Sequence, residues 1–196
     1  MRKTLRAISF LLGVSLIVGC GDSLTTLNRL SAVGSIHEDA PVTAHLQIKI
    51  AAPPEKVWAI LIGAPTWPTW AKQIDSVIVE GPLENGTRFS WKTGGTDIHS
   101  QVQLFEPQRR LSWTGTAMTA KAVHVWELQP QPGNQTLLLM KESMDGPLMA
   151  QLYPSQKLTE AGNQWLAALK QAAEQTLSPT HKNLTADEFR TIIKNE

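Results

Sequence analysis

The sequence predicts an α+β domain in which a curved antiparallel sheet of about seven strands is closed by one long C-terminal helix. Three observations carry this. An alternating strand from Val42 to Ile50 leads into a proline-initiated helix, six further strand-like runs follow with turn residues between them, and a helical apolar stripe extends from Ser155 to Leu177. Runs of this length separated by Gly, Pro and Asn clusters make hairpins rather than parallel crossovers.

Val42, Ala44, Leu46, Ile48 and Ile50 alternate with polar residues, the pattern of a half-buried first strand. Pro53-Pro54-Glu55 opens a helix, since proline is tolerated in the first turn and an acid is favourable at the positive end of the dipole. Gly63-Ala64-Pro65 ends it, and Trp67-Pro68-Thr69-Trp70 predicts a second short helix. Strands are then expected over Ile74–Glu80, Thr87–Lys92, Asp97–Phe105, Arg109–Thr116, Lys121–Leu128 and Gln135–Met144. The turns between them carry Asn85-Gly86, Gly94-Gly95, Pro107 and Pro132-Gly133-Asn134. In the closing helix Leu158, Gly162, Trp165, Leu169, Ala172 and Ala173 share one face. Gly162 costs about 1 kcal/mol there relative to alanine, and it reads either as a close helix-to-sheet contact or as room for a ligand beneath the helix.

The ends of the chain are different in kind. Arg2, Lys3 and Arg6 precede an apolar run from Ala7 to Val18, the arrangement of a secretory signal over residues 1–19. Ile17-Val18-Gly19-Cys20 resembles the bacterial lipobox, which implies cleavage before Cys20 and lipidation of that sulfur. Cys20 is the only cysteine, so an intramolecular disulfide is excluded. Gly21, and not an aspartate, follows Cys20, and by the same resemblance this favours the outer membrane of a two-membrane cell over the inner. Residues 20–40 lack a sustained period and are expected to be a lipidated tether, with a short helical stretch around Leu24 to Leu30. The domain proper is expected over 41–178. Beyond it, 179–196 forms an appendage with a capping-box pattern at Thr185 and Glu188 and is a candidate contact for a protein partner.

Composition excludes several functions. A net charge of +1 without a Lys/Arg run speaks against nucleic acid as a partner. There is no Cys pair and no His-x-x-x-His, so neither a metal site nor a cofactor is expected. Gly94-Gly95 is followed by a strand pattern and not by a helix, which removes a phosphate loop. Seven tryptophans beside one tyrosine and four phenylalanines point instead to an aromatic interior.

The order of elements, together with Ala52-Pro53-Pro54-Glu55-Lys56-Val57-Trp58, Trp67-Pro68-Thr69-Trp70, Gly86-Thr87-Arg88-Phe89-Ser90-Trp91, Leu111-Ser112-Trp113 and His124-Val125-Trp126-Glu127-Leu128, resembles the SRPBCC superfamily of START-like and polyketide cyclase/dehydrase domains. The resemblance implies the helix-grip fold, with a cavity between sheet and long helix. Alternation places Ala122, His124, Trp126 and Leu128 on one face and Leu138, Met140, Glu142 and Met144 on one face of the next strand. If these are the inward faces, Phe89 and Trp91, then Ser100, Val102 and Leu104, then Leu111, Trp113 and Gly115 also point inward. The candidate ligand-binding set is therefore Phe89, Trp91, Ser100, Val102, Trp113, His124, Trp126, Met140, Glu142, Gly162 and Trp165.

His124 and Glu142 read two ways. They are an acid/base pair in which the carboxylate orients the imidazole, or two buried polar groups that satisfy each other. The expected function is a membrane-anchored lipoprotein that binds a hydrophobic or amphipathic small molecule, with the segment Gly146-Pro147 and the long helix as its gate. The alternatives are a cyclase or dehydratase with His124 as general base, and an assembly lipoprotein acting through its surface and residues 180–196.

Overall fold

A computed structural model of the chain describes residues 23–175. The signal segment, Cys20 and the C-terminal appendage lie outside the described residues. The elements run α1 (Leu24–Ala32), β1 (Val42–Ile50), α2 (Pro54–Ile62), a single 3-10 turn (Ala64–Thr66), α3 (Trp67–Trp70), β2 (Ile74–Val79), β3 (Arg88–Thr93), β4 (Thr96–Glu106), β5 (Arg110–Ala117), β6 (Ala120–Gln131), β7 (Gln135–Asp145), α4 (Met149–Leu152) and α5 (Ser155–Glu174). All neighbouring strands are antiparallel in the order β1-β7-β6-β5-β4-β3-β2. This is the helix-grip arrangement: β1 returns to pair with β7, and α5 crosses the concave face.

One expected inward residue is displaced by a bulge. Val102 pairs with Trp113 but Leu104 pairs with Ser112, so Gln103 is the extra residue on β4. Alternation is reset by one position there. Leu104 turns to the convex side, toward Gly34, and Phe105 turns inward, its ring 5.2 Å from that of Trp58. The long helix buries Leu158, Gly162, Trp165, Leu166, Leu169 and Ala173. Leu166 thus joins the expected stripe, and Ala172 is only half-buried.

The larger departure is at the N-terminus. Residues 23–40 are not a free tether. Ser23 caps α1 by accepting from the Thr26 N–H, and α1 lies on the convex face of the sheet. Leu27 and Ile36 bury themselves against Val123 and Val125. The hydroxyls of Ser31 and Ser112 meet at 2.8 Å, and the Arg110 guanidinium donates to the Val33 carbonyl while both its other contacts go to Glu106. His37 closes the segment through its ring Nδ1, 2.9 Å from the buried Asp145 carboxylate. Leu27 is fully buried, so Leu27→Ala is expected to cost about 2–4 kcal/mol in chemical denaturation. In a solvated tether the same change would cost nothing.

Two carboxylates, one across the β4–β5 turn and one joining α5 to the end of β1, make stability acid-sensitive. The hydrogen bond from Arg110 holds Glu106 below the ordinary carboxylate value. For Glu174 the Ala51 N–H does the same, aided by Lys170. Both folded-state values are lowered, so their contribution is present above the unfolded carboxylate value of about 4.3 and is lost as pH falls through the folded one. Acid unfolding followed by circular dichroism is expected to be less steep in the Glu174→Gln variant than in the parent chain.

Candidate ligand-binding site

The register of the sheet brings three central strands to one point. Trp113 on β5 pairs with His124 on β6, and His124 pairs with Glu142 on β7. The Nδ1 of His124 is 3.1 Å from Glu142 Oε2, with the histidine side chain 3% exposed and the glutamate 16%. Two indole rings pack against the imidazole: Trp113 at 4.6 Å and Trp126 at 4.9 Å between centroids, themselves 6.5 Å apart. Trp165 comes down from α5 and meets the imidazole edge-on at 5.3 Å. A neutral imidazole that donates from Nδ1 to Glu142 presents Nε2 as an acceptor. That Nε2 is buried without a hydrogen-bond partner, as are the Nε1 donors of Trp126 and Trp165.

Beside this cluster the concave face holds a small pocket of about 60 Å³, lined by Trp91, Ser100, Trp113, His124 and Glu142 on the inside and by Ala117, Ala120 and Met144 toward one end of the sheet. Ser100 accepts a hydrogen bond of 3.1 Å from the Trp91 indole, which leaves its hydroxyl proton to donate elsewhere. The Tyr153 hydroxyl, at the junction of α4 and α5, is raised above its ordinary value by burial, then by the negative charge of Glu142 and Glu160. It therefore remains a protonated donor. Tyr153 packs against the cluster of Met149 and Leu158 and is not among the pocket-lining residues.

Of the predicted set, Trp91, Ser100, Trp113, His124 and Glu142 surround the pocket. Trp126 forms the wall behind the imidazole. Phe89, Val102 and Met140 are buried in the solid core with Trp67 and Leu138, and Trp165 fills the space under the long helix. Gly162 offers no room for a ligand. A methyl group built on it would overlap the Met140 methyl and Leu46, so this glycine serves the close approach of α5 to β1 and β7.

The expected gate has a defined geometry. Gly146 has φ 151°, and a side chain there would meet the Thr119 carbonyl at 3.0 Å and Ala120 Cα at 3.3 Å. Only glycine suits both the backbone and the space. The segment thus lies directly against the β5–β6 turn at the mouth. Among the described residues no group of His, Cys, Asp and Glu could hold a metal ion, and no helix is long and apolar enough to cross a membrane.

Residues 41–174 match the family described as polyketide cyclase / dehydrase and lipid transport. The chain belongs to that family. α1 precedes the family span and is packed on its outside. Solved structures share the family fold at low identity. A hypothetical protein of Helicobacter pylori aligns with TM-score 0.59 and 20% identity over 89% of this chain and 100% of its own. A START superfamily protein of Mycobacterium smegmatis aligns with TM-score 0.59 and 15% identity over 68% of this chain and 97% of its own. A protein from the dynemicin biosynthetic locus gives TM-score 0.56 and 18% identity over 68% and 47%. No curated protein matches the sequence. At these identities the likeness is one of fold, which in this family serves both ligand binding and cyclase-type chemistry.

Proposed function

We propose that the chain is a membrane-anchored lipoprotein that binds a hydrophobic or amphipathic small molecule on the concave face, against His124 and Glu142. The observation that carries this reading is a buried histidine with an unpartnered Nε2, lining a mostly apolar pocket whose other polar side chains are Ser100, Thr116 and Glu142. A buried acceptor left without a partner costs about 1–3 kcal/mol, and a ligand hydroxyl would supply the missing donor. The apolar remainder of such a ligand would bind by burial at about 25 cal/mol per Å². The pocket of about 60 Å³ is far smaller than the usual 300–1,000 Å³ of a small-molecule site. Binding therefore requires Trp165 or the Gly146-Pro147 segment to move. The anchor rests on the lipobox-like Ile17-Val18-Gly19-Cys20.

The test is mass spectrometry of the protein purified from the envelope. A stoichiometric apolar molecule in its organic extract supports the carrier reading, and an empty extract with nothing bound in native spectra overturns it. The intact mass reads the anchor at the same time, through a chain that begins at Cys20 and carries diacylglycerol.

The unpartnered Nε2 also favours a second reading, a cyclase or dehydratase with His124 as general base held in its acceptor tautomer by Glu142. His124→Ala would then abolish turnover of a bound polyketide-like substrate while sparing its binding. In a carrier it weakens binding and there is no turnover to lose.

A further inference from the structure

We infer that the mouth of the pocket is a bilayer-docking surface, formed by Met118, Leu148 and Leu152, which presses into lipid when the anchor holds the domain at the membrane. These are among the few large apolar side chains that the fold leaves in solvent, 95%, 65% and 67% exposed respectively. All three are at one end. Met118 is the tip of the β5–β6 turn, between the pocket-lining Ala117 and Ala120. Leu148 and Leu152 begin and end the α4 segment, which lies against that turn through the Gly146 contact with Thr119 and Ala120.

The backbone adds a second observation. Met118 and Leu148 have φ of 53° and 59°, a left-handed conformation that bulky side chains avoid. The β4–β5 and β6–β7 turns, at the opposite end of the sheet, place Gln108 and Asn134 in the same conformation. Equivalent positions are polar at the closed end and apolar at the mouth. Folding does not account for this, because an exposed methionine in that conformation buries nothing in the domain.

A bilayer is the occupant that the course of the chain supports. Val33 contacts Arg110 and Ser31 contacts Ser112, so the partners of α1 step along β5 toward the β5–β6 turn as the helix is followed back to its start, where Leu27 joins the cluster of Val123 and Val125 on β6. The N-terminus of α1 thus points to the mouth end. Cys20 precedes the N-cap Ser23 by three residues, a reach of at most about 10 Å. An acylated Cys20 would hold lipid close to the end where Met118 and Leu148 project. This inference rests on the anchored reading, and it makes the mouth open onto the phase from which an apolar ligand would come.

The full chain, purified with its native N-terminus and reconstituted into phosphatidylcholine vesicles, tests it. An environment-sensitive thiol dye is attached at Met118→Cys, Leu148→Cys or, as control at the opposite end, Asn134→Cys. Lipids carrying a shallow quencher are expected to reduce the emission at 118 and 148 roughly twofold or more, the response of side chains seated about 5–10 Å into the interface, and to leave 134 unchanged. Flotation of the chain with vesicles while 118 and 148 stay unquenched overturns the docking and leaves the anchor standing. Uptake of the dye by the unsubstituted chain shows a free Cys20 and overturns the anchor, and the rim probes then decide docking by their quenching alone. An emission shift at 118 that follows protein concentration without vesicles assigns the surface to a second copy and overturns the proposal.

Discussion

Trp165→Ala is expected to lower stability by about 3–5 kcal/mol, a fall in Tm on the order of 10 °C for a domain of this size, and to convert a filled interior into an open one. Trp165 is 6% exposed. Its ring sits 5.3 Å from Trp67, 5.4 Å from Trp91, 5.3 Å from His124 and 5.5 Å from Trp126. Removing the indole vacates the space between the long helix and two residues that already line the pocket, Trp91 and His124. The surrounding rings are held by their own strands and, for Trp67, by α3, and cannot collapse fully into it, which is why the loss exceeds transfer of the side chain alone. An apolar void of that shape takes up an apolar guest. Millimolar indole is therefore expected to raise the Tm of the variant and not that of the parent, because a ligand stabilises only the state that binds it. A calorimetric scan with and without indole reads both. If the variant is destabilised and indole does nothing, the chamber has closed up, and the tryptophans are core rather than the lining of a ligand space.

That experiment addresses the part of the interior that sequence leaves open. The alternation of β6 and β7 is written plainly in Ala122, His124, Trp126 and in Met140, Glu142, Met144, and pairing of His124 with Glu142 follows once the hairpin closes at Pro132-Gly133-Asn134. The facing of Trp91, Ser100 and Trp113 follows by the same period. The bulge at Gln103 does not, because nothing in Val102-Gln103-Leu104-Phe105 marks which residue the partner strand will skip, and a slip of one reverses every facing beyond it. Nor does alternation say how much space several large rings leave among themselves. The contact of Gly162 with Met140 and Leu46, and the descent of Trp165 onto His124, are matters of volume and not of period. The packing of α1 had a signal that amphipathic reading passed over. Val123-His124-Val125-Trp126 is apolar on both faces, and Ser112 opposite Val125 is small, so the convex side of β5 and β6 needs a cover. Leu24-Thr25-Thr26-Leu27, with Ser23 as cap, is the nearest amphipathic helix available to provide it.

Comparing a variant that removes one member of the central pair with one that removes both separates a role in folding from a role in binding. Glu142→Ala leaves His124 Nδ1 without its acceptor beside an Nε2 that already lacks a partner. A buried polar group stripped in this way is expected to cost about 1–3 kcal/mol. The double change His124→Phe with Glu142→Leu removes both polar groups and keeps the volume beside Trp113 and Trp126 filled. Replacing both partners of a buried hydrogen bond by apolar groups of similar shape is nearly neutral or stabilising. Urea unfolding of the three chains is expected to show the single variant below the parent and the double variant at or above it. The domain would then fold better without the pair than with it, and the stability it forgoes would be accounted for by what the pair does to a ligand. The corresponding loss should appear in the native spectrum, where the double variant is expected to be purified without the polar-ended molecule proposed for the parent. A double variant as unstable as Glu142→Ala would mean that the imidazole and carboxylate hold the sheet together, and the site would have to be sought elsewhere on the concave face.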